Sequence, residues 1–137
     1  MSSVTTLEVN DIIGLHEAFQ RLDGYNRPEG EGHVFLPFDF DFDTRWNLSK
    51  DRRIIRAEYA AYDECRNDLV VKYSPKHHDM AKEGPEAQAQ FYREHRDLLL
   101  KKREVSGLLR VKKDAVKKAG PIPVSVLEGL TPIIDES

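Results

Sequence analysis

Residues 44–73 read TRWNLSKDRRIIRAEYAAYDECRNDLVVKY, thirty residues without a glycine or a proline. Nothing in that run stops a helix, and at ~1.5 Å per residue it spans ~45 Å. Leu48, Ile55, Tyr59, Tyr62, Leu69 and Tyr73 recur at spacings of three, four and seven, with Arg66 in the same register, which is one stripe of a helix. Ile54, Ala61 and Cys65 widen the stripe, so Cys65 is expected as a small buried residue. A helix this long in a small domain needs a long neighbour to cover it.

The following text supplies one. Ser74-Pro75 stops the helix, and Pro85-Glu86 opens another with proline at its favoured first position. Ala87, Phe91, Glu94 or His95, and Leu98 make its inner face, and it runs to about Arg103, antiparallel to the first. Upstream, Asp43 is placed to cap the long helix. Earlier still, Asn10 and Asp11 are candidate caps for a helix carrying Ile12, Leu15, Phe19 and Leu22 on one face and ending at Asp23-Gly24. Residues 4–9 and 104–111 read as strands able to pair. Residues 26–32 are a loop by composition, residues 114–119 a helical turn, 120–123 a rigid break and 125–134 a last short helix. The expected fold is α+β, mainly α. It is a single domain over residues 1–137, built as a long antiparallel helical hairpin with an N-terminal helix and a small two-stranded sheet.

Composition bounds the function. The chain has 137 residues, 33% charged and 39% hydrophobic, with a formal net charge of −3. No apolar run approaches the ~20 residues of a membrane span, no leader is evident, and a lone cysteine forms neither an intrachain disulfide nor a thiolate zinc finger. A cytoplasmic location and no membrane partner are the expectations. The charge is uneven: residues 1–43 hold nine acids and two bases, whereas residues 101–118 hold eight bases and two acids. There is no phosphate-cradling glycine pattern and no nucleophile elbow, so no enzyme and no cofactor are expected.

Two stretches invite a metal reading. Phe38, Phe40 and Phe42 alternate with Asp39, Asp41 and Asp43, and an extended backbone would put rings on one face and carboxylates on the other. His77, His78 and Asp79 form a polar loop. The expectation for both is structural: buried rings, solvated or capping aspartates, and no metal. The binding surface is sought instead at the start of the long helix. Arg45, Arg52, Arg53 and Arg56 cluster there beside Trp46, and Lys112 and Lys113 extend the basic surface. Planar guanidinium forks suit carboxylates and phosphates. The competing expectation pairs these arginines internally with Asp39, Asp41, Asp43 or Asp51.

The segment Thr44-Arg45-Trp46-Asn47-Leu48-Ser49-Lys50, then Glu58-Tyr59-x-x-Tyr62-x-x-x-Arg66-x-x-Leu69 and Lys72-Tyr73, resembles short uncharacterised proteins of tailed phages and prophages. The likeness continues through Leu98-Leu99-Leu100-Lys101-Lys102-Arg103-Glu104, a strand from Val105, and a Pro-Ile-Pro segment before a closing helix. The Phe-Asp alternation at 38–43 departs from it. The resemblance implies a phage or prophage source and this organisation, but no reaction. The expected function is that of a non-enzymatic phage or prophage accessory binding protein in the host cytoplasm, for example one that binds and blocks a host defence factor or sequesters its nucleotide signal. The alternatives are a small structural or assembly component of the particle, and a nucleic-acid-binding protein. Tyr59, Tyr62, Leu69 and Tyr73 put more large side chains on one face of the long helix than its own chain is expected to cover, so a homodimer or larger closed oligomer is expected. The arginine and tryptophan cluster is expected to meet a host or phage protein with an acidic surface, or a phosphorylated small ligand.

Overall fold

A computed structural model describes residues 4–22, 25–26, 33–34, 40–119 and 122–135. Along the chain these form β1 (Val4–Glu8), α1 (Val9–Leu22), β2 (Tyr25–Asn26), β3 (His33–Val34), α2 (Phe42–Tyr73), α3 (Pro85–Leu100), β4 (Lys102–Ser106), β5 (Val111–Lys112), α4 (Lys113–Lys118), α5 (Val124–Leu130) and β6 (Ile134–Asp135). Short 3-10 turns cover Met80–Lys82 and Thr131–Ile133. The architecture is α+β and mainly α.

The glycine- and proline-free run is one unbroken helix, packed against α3. It begins two residues earlier than expected. Asp41, not Asp43, is the cap, its Oδ1 accepting the Thr44 N–H at 2.8 Å. Phe42 therefore sits in the first helical turn, 73% exposed, rather than on a buried strand face. Phe40 packs against the core, while Phe38 and Asp39 lie outside the described residues. At the other end of α2, buried Ser74 ties the turn: its Oγ lies 2.8 Å from Glu83 Oε1 and accepts the Asp79 N–H at 3.1 Å.

The core forms where α1, α2 and the C-terminal elements meet. Ile12, Leu15, Ile55, Val105, Val116, Val126, Leu130 and Ile133 are fully buried. Of the α1 stripe, Ile12, Leu15 and Phe19 are buried and Leu22 packs at the edge. On α2 the buried row is Thr44, Leu48, Asp51 and Ile55, and no residue beyond Ile55 is fully buried. Cys65 is exposed, contrary to expectation. It lies on the outer half of α2, where the core no longer reaches. Tyr59 and Tyr62 are half-buried and are covered from within the chain: Tyr59 stacks on His16 at 3.8 Å, and Tyr62 Oη lies 2.8 Å from His95 Nε2.

The strand pairing is real but shifted. β1 runs antiparallel to β4, with Thr5 opposite Val105 and Leu7 opposite Arg103. β4 covers Lys102–Ser106, not 104–111, because α3 already ends at Leu100 and Gly107, at φ +84°, turns the chain away. Helix α1 starts at Val9, so Asp11 lies in its first turn and reaches back to accept the Glu8 N–H at 3.1 Å. A two-residue parallel pair of β5 with β6, and an antiparallel pair of β2 with β3, were not expected from the sequence.

Helices α1 and α5 cross very closely. A Cβ on Gly129 would stand 2.7 Å from the Gly14 carbonyl oxygen and 2.9 Å from Ala18 Cβ. The glycine there sets the inter-helix distance.

Candidate functional site

The first half of α2 has two opposed faces. Thr44, Leu48, Asp51 and Ile55 point into the core. The opposite row gathers Phe42, Arg45, Trp46, Ser49, Lys50 and Arg53 around a surface hollow of about 320 Å³. Trp46 is 54% exposed. Its ring lies 5.7 Å from that of Phe42, and Lys50 Nζ sits over it, 5.6 Å from its centroid, a cation–π distance. Arg45 Nη2 donates to the Phe40 carbonyl at 3.4 Å, which pins that arginine to the start of the helix. The result is two large exposed rings framed by three cations, with no carboxylate among the described residues that line the hollow.

The structure divides the sequence-based cluster. Arg45, Trp46 and Arg53 come together in this hollow. Arg52 is half-buried on the flank. Arg56 leans toward α1, where its charge, after burial, helps to hold the His16 imidazole below its ordinary range. Lys112 and Lys118 stand close enough to Asp41 to lower its carboxyl, behind the larger effect of the hydrogen bonds from Thr44. Lys113 opens α4 and is exposed. Lys112 and Lys118 thus stand near Asp41 at the N-terminal end of α2, and neither Lys112 nor Lys113 is among the residues around Trp46. Phe42 and Lys50 were missed as site residues. Their signal was the spacing 42, 46, 49, 50 and 53, a second helical stripe opposite the apolar one.

One of the acids offered as partners for the arginines is instead buried against the backbone. Asp51 has no exposed surface. Its Oδ1 accepts the Leu109 N–H at 2.7 Å, while its Oδ2 has no hydrogen-bond partner among the described residues. Burial outweighs that hydrogen bond and pushes the carboxyl up to about 7. The side chain anchors the segment after Gly107 to α2, so its role is to hold the scaffold.

The histidine loop is placed for structure as well. His77 and His78 are exposed, and Asp79 accepts the Ala81 N–H at 3.0 Å to start the 3-10 turn. Among the described residues no group of three or more histidine, cysteine or acidic side chains is placed to hold a metal ion. No helix among them is long and apolar enough to cross a membrane. Comparison with protein-family models, with curated proteins and with solved structures gives no match.

Proposed function

We propose that this chain is a non-enzymatic binding protein that docks the outward face of α2 onto an acidic surface of a partner protein. The observation that carries this reading is the exposure of Phe42 and Trp46 inside a frame of Arg45, Lys50 and Arg53. Exposed aromatics beside arginine are the residues that dominate protein interfaces, and the cations give steering and sign selectivity. The net charge of −3 argues against a general affinity for nucleic acid. In keeping with the sequence resemblance, the setting proposed is a phage accessory protein meeting a host defence factor. The small hollow beside Trp46 supports a second reading, in which the arginines hold the phosphate of a small ligand and the indole covers its ring.

The test is site-specific cross-linking in cells that naturally make the protein, with a photoreactive residue at Ser49. The expected capture is a protein with an acidic patch, lost in Trp46→Ala and Arg53→Glu and weakened by salt. Capture unchanged in a folded Trp46→Ala/Arg53→Glu protein would refute the reading. Recovery of the chain in purified particles at fixed stoichiometry would assign it to the particle instead.

A further inference from the structure

A second surface lies away from α2's outward face. A cleft of about 650 Å³ runs between β1, α1 and α5, within the size range of ligand sites. Three successive strand residues, Thr5, Thr6 and Leu7, border it. Successive side chains of a strand point to opposite faces, so a cleft bordered by all three follows the strand's edge.

That edge is open. Among the described residues β1 pairs only with β4. The Val9 N–H donates to the Lys101 carbonyl at 2.9 Å, which fixes the alternation of the antiparallel ladder. Leu7 and Thr5 turn their backbone groups to β4, while Glu8, Thr6 and Val4 turn theirs away. The Glu8 N–H is taken by Asp11. The N–H and C=O of Thr6 are left facing the cleft.

The walls are charged with both signs. Arg21 and Arg110 line the cleft together with Glu17 and Glu128, and no ion pair joins these four. Arg21 Nη1 donates to Ser125 Oγ on the opposite wall at 2.5 Å. The Gly14–Gly129 crossing, where the backbones of α1 and α5 meet, also lines it.

We propose that this cleft receives an extended peptide segment of a partner protein, which adds to the free edge of β1 as a third strand. Thr6 exchanges main-chain hydrogen bonds with it, and acidic and basic side chains of the peptide meet the arginines and glutamates of the walls. Strand addition of this kind takes affinity from the backbone and specificity from alternate side chains. An edge of about five residues offers ~17 Å for pairing, and an open edge of this type invites a further strand.

The probe is a displayed library of random twelve-residue peptides selected against the full chain. The expected result is enriched peptides of alternating pattern with both charge signs, whose binding slows exchange of the Thr6 amide. Thr6→Pro should cut their affinity at least tenfold, because proline removes the outward N–H yet is tolerated on an edge strand. Arg110→Glu should do so for the acidic members of the set. Circular dichroism checks that each variant folds, and Arg110→Glu with the Thr6 amide decides should Thr6→Pro not fold. Failure to select any binder overturns the proposal, as do selected peptides indifferent to both substitutions. A dimer that Thr6→Pro converts to monomer assigns the edge to a second copy and likewise overturns it.

Discussion

Asp51→Asn isolates the effect of burying a carboxyl with one oxygen unpartnered. The ordinary value for the group is 3.8, and in the folded protein it is about 7. A folded-state value raised for an acid means that ionisation opposes folding. The penalty sets in as pH rises past 3.8, grows by ~1.4 kcal/mol per pH unit, and levels off above about pH 7 at roughly 4 kcal/mol. That is a large part of a net stability of ~5–15 kcal/mol. Between pH 5 and pH 8 the penalty grows by about 2.5 kcal/mol. Asparagine keeps the oxygen that accepts from Leu109 and never ionises. Its amide in place of Oδ2 remains buried without a partner, a cost of ~1–3 kcal/mol that does not vary with pH. The informative quantity is therefore the double difference from urea denaturation of both proteins at pH 5 and pH 8. The variant should gain on the wild type by about 2.5 kcal/mol across that interval. Other titrating groups are common to both proteins and cancel. Parallel pH profiles would refute the argument and show that the Asp51 carboxylate is solvated or paired.

Other perturbations probe the helix contacts and the histidines. Gly129→Ala forces a methyl against the Gly14 carbonyl and Ala18 and should cost about 1–3 kcal/mol by thermal melting. Gly14→Ala meets nothing nearer than 3.9 Å and should be neutral or stabilising by ~0.5–1 kcal/mol from helix propensity. Burial, with Arg56 beside His16 and Arg66 beside His95, lowers both imidazoles from 6.5. Both should titrate below that value by NMR, and their contribution to stability should fall as pH drops through 6.5, opposite in sign to Asp51. Tyr62→Phe removes the hydrogen bond to His95 and should cost ~0.5–1.5 kcal/mol in urea denaturation, with the His95 titration midpoint moving.

The parts of the fold that could be read in the sequence are those set by local rules. α2 was legible because no residue in it can break a helix, and α3 because proline marks its first turn. Periodicity says which residues share a face but not how far the neighbouring elements extend along it. Cys65 was misplaced for that reason: its register is apolar, yet the core ends at Ile55. The Phe-Asp alternation misled because Asp41 caps the helix early and converts Phe42 from a strand position to a helical one. The β5–β6 pair left no trace, since two residues carry no period and the partner lies far along the chain. Of the site, the arginine and tryptophan cluster was visible as composition. The split between the Trp46 hollow and the flank holding Arg56 depends on where α1 packs.

The end of the buried row at Ile55 has a mechanical consequence. About half of α2 continues past it, braced mainly by α3 through Phe91, the Tyr62–His95 contact and the largely exposed Lys72–Glu94 pair. A helix with so little tertiary support is only marginally stable by its own propensity. The outer arm should therefore open and close as a unit while the hub around Leu15, Ile55 and Leu130 stays shut, a sub-global fluctuation visible as amide exchange in residues 60–73 and 85–97 well ahead of the rest. The Phe42 and Trp46 rings sit on the hub half of the same rod, so the face proposed for docking would remain rigid through such excursions.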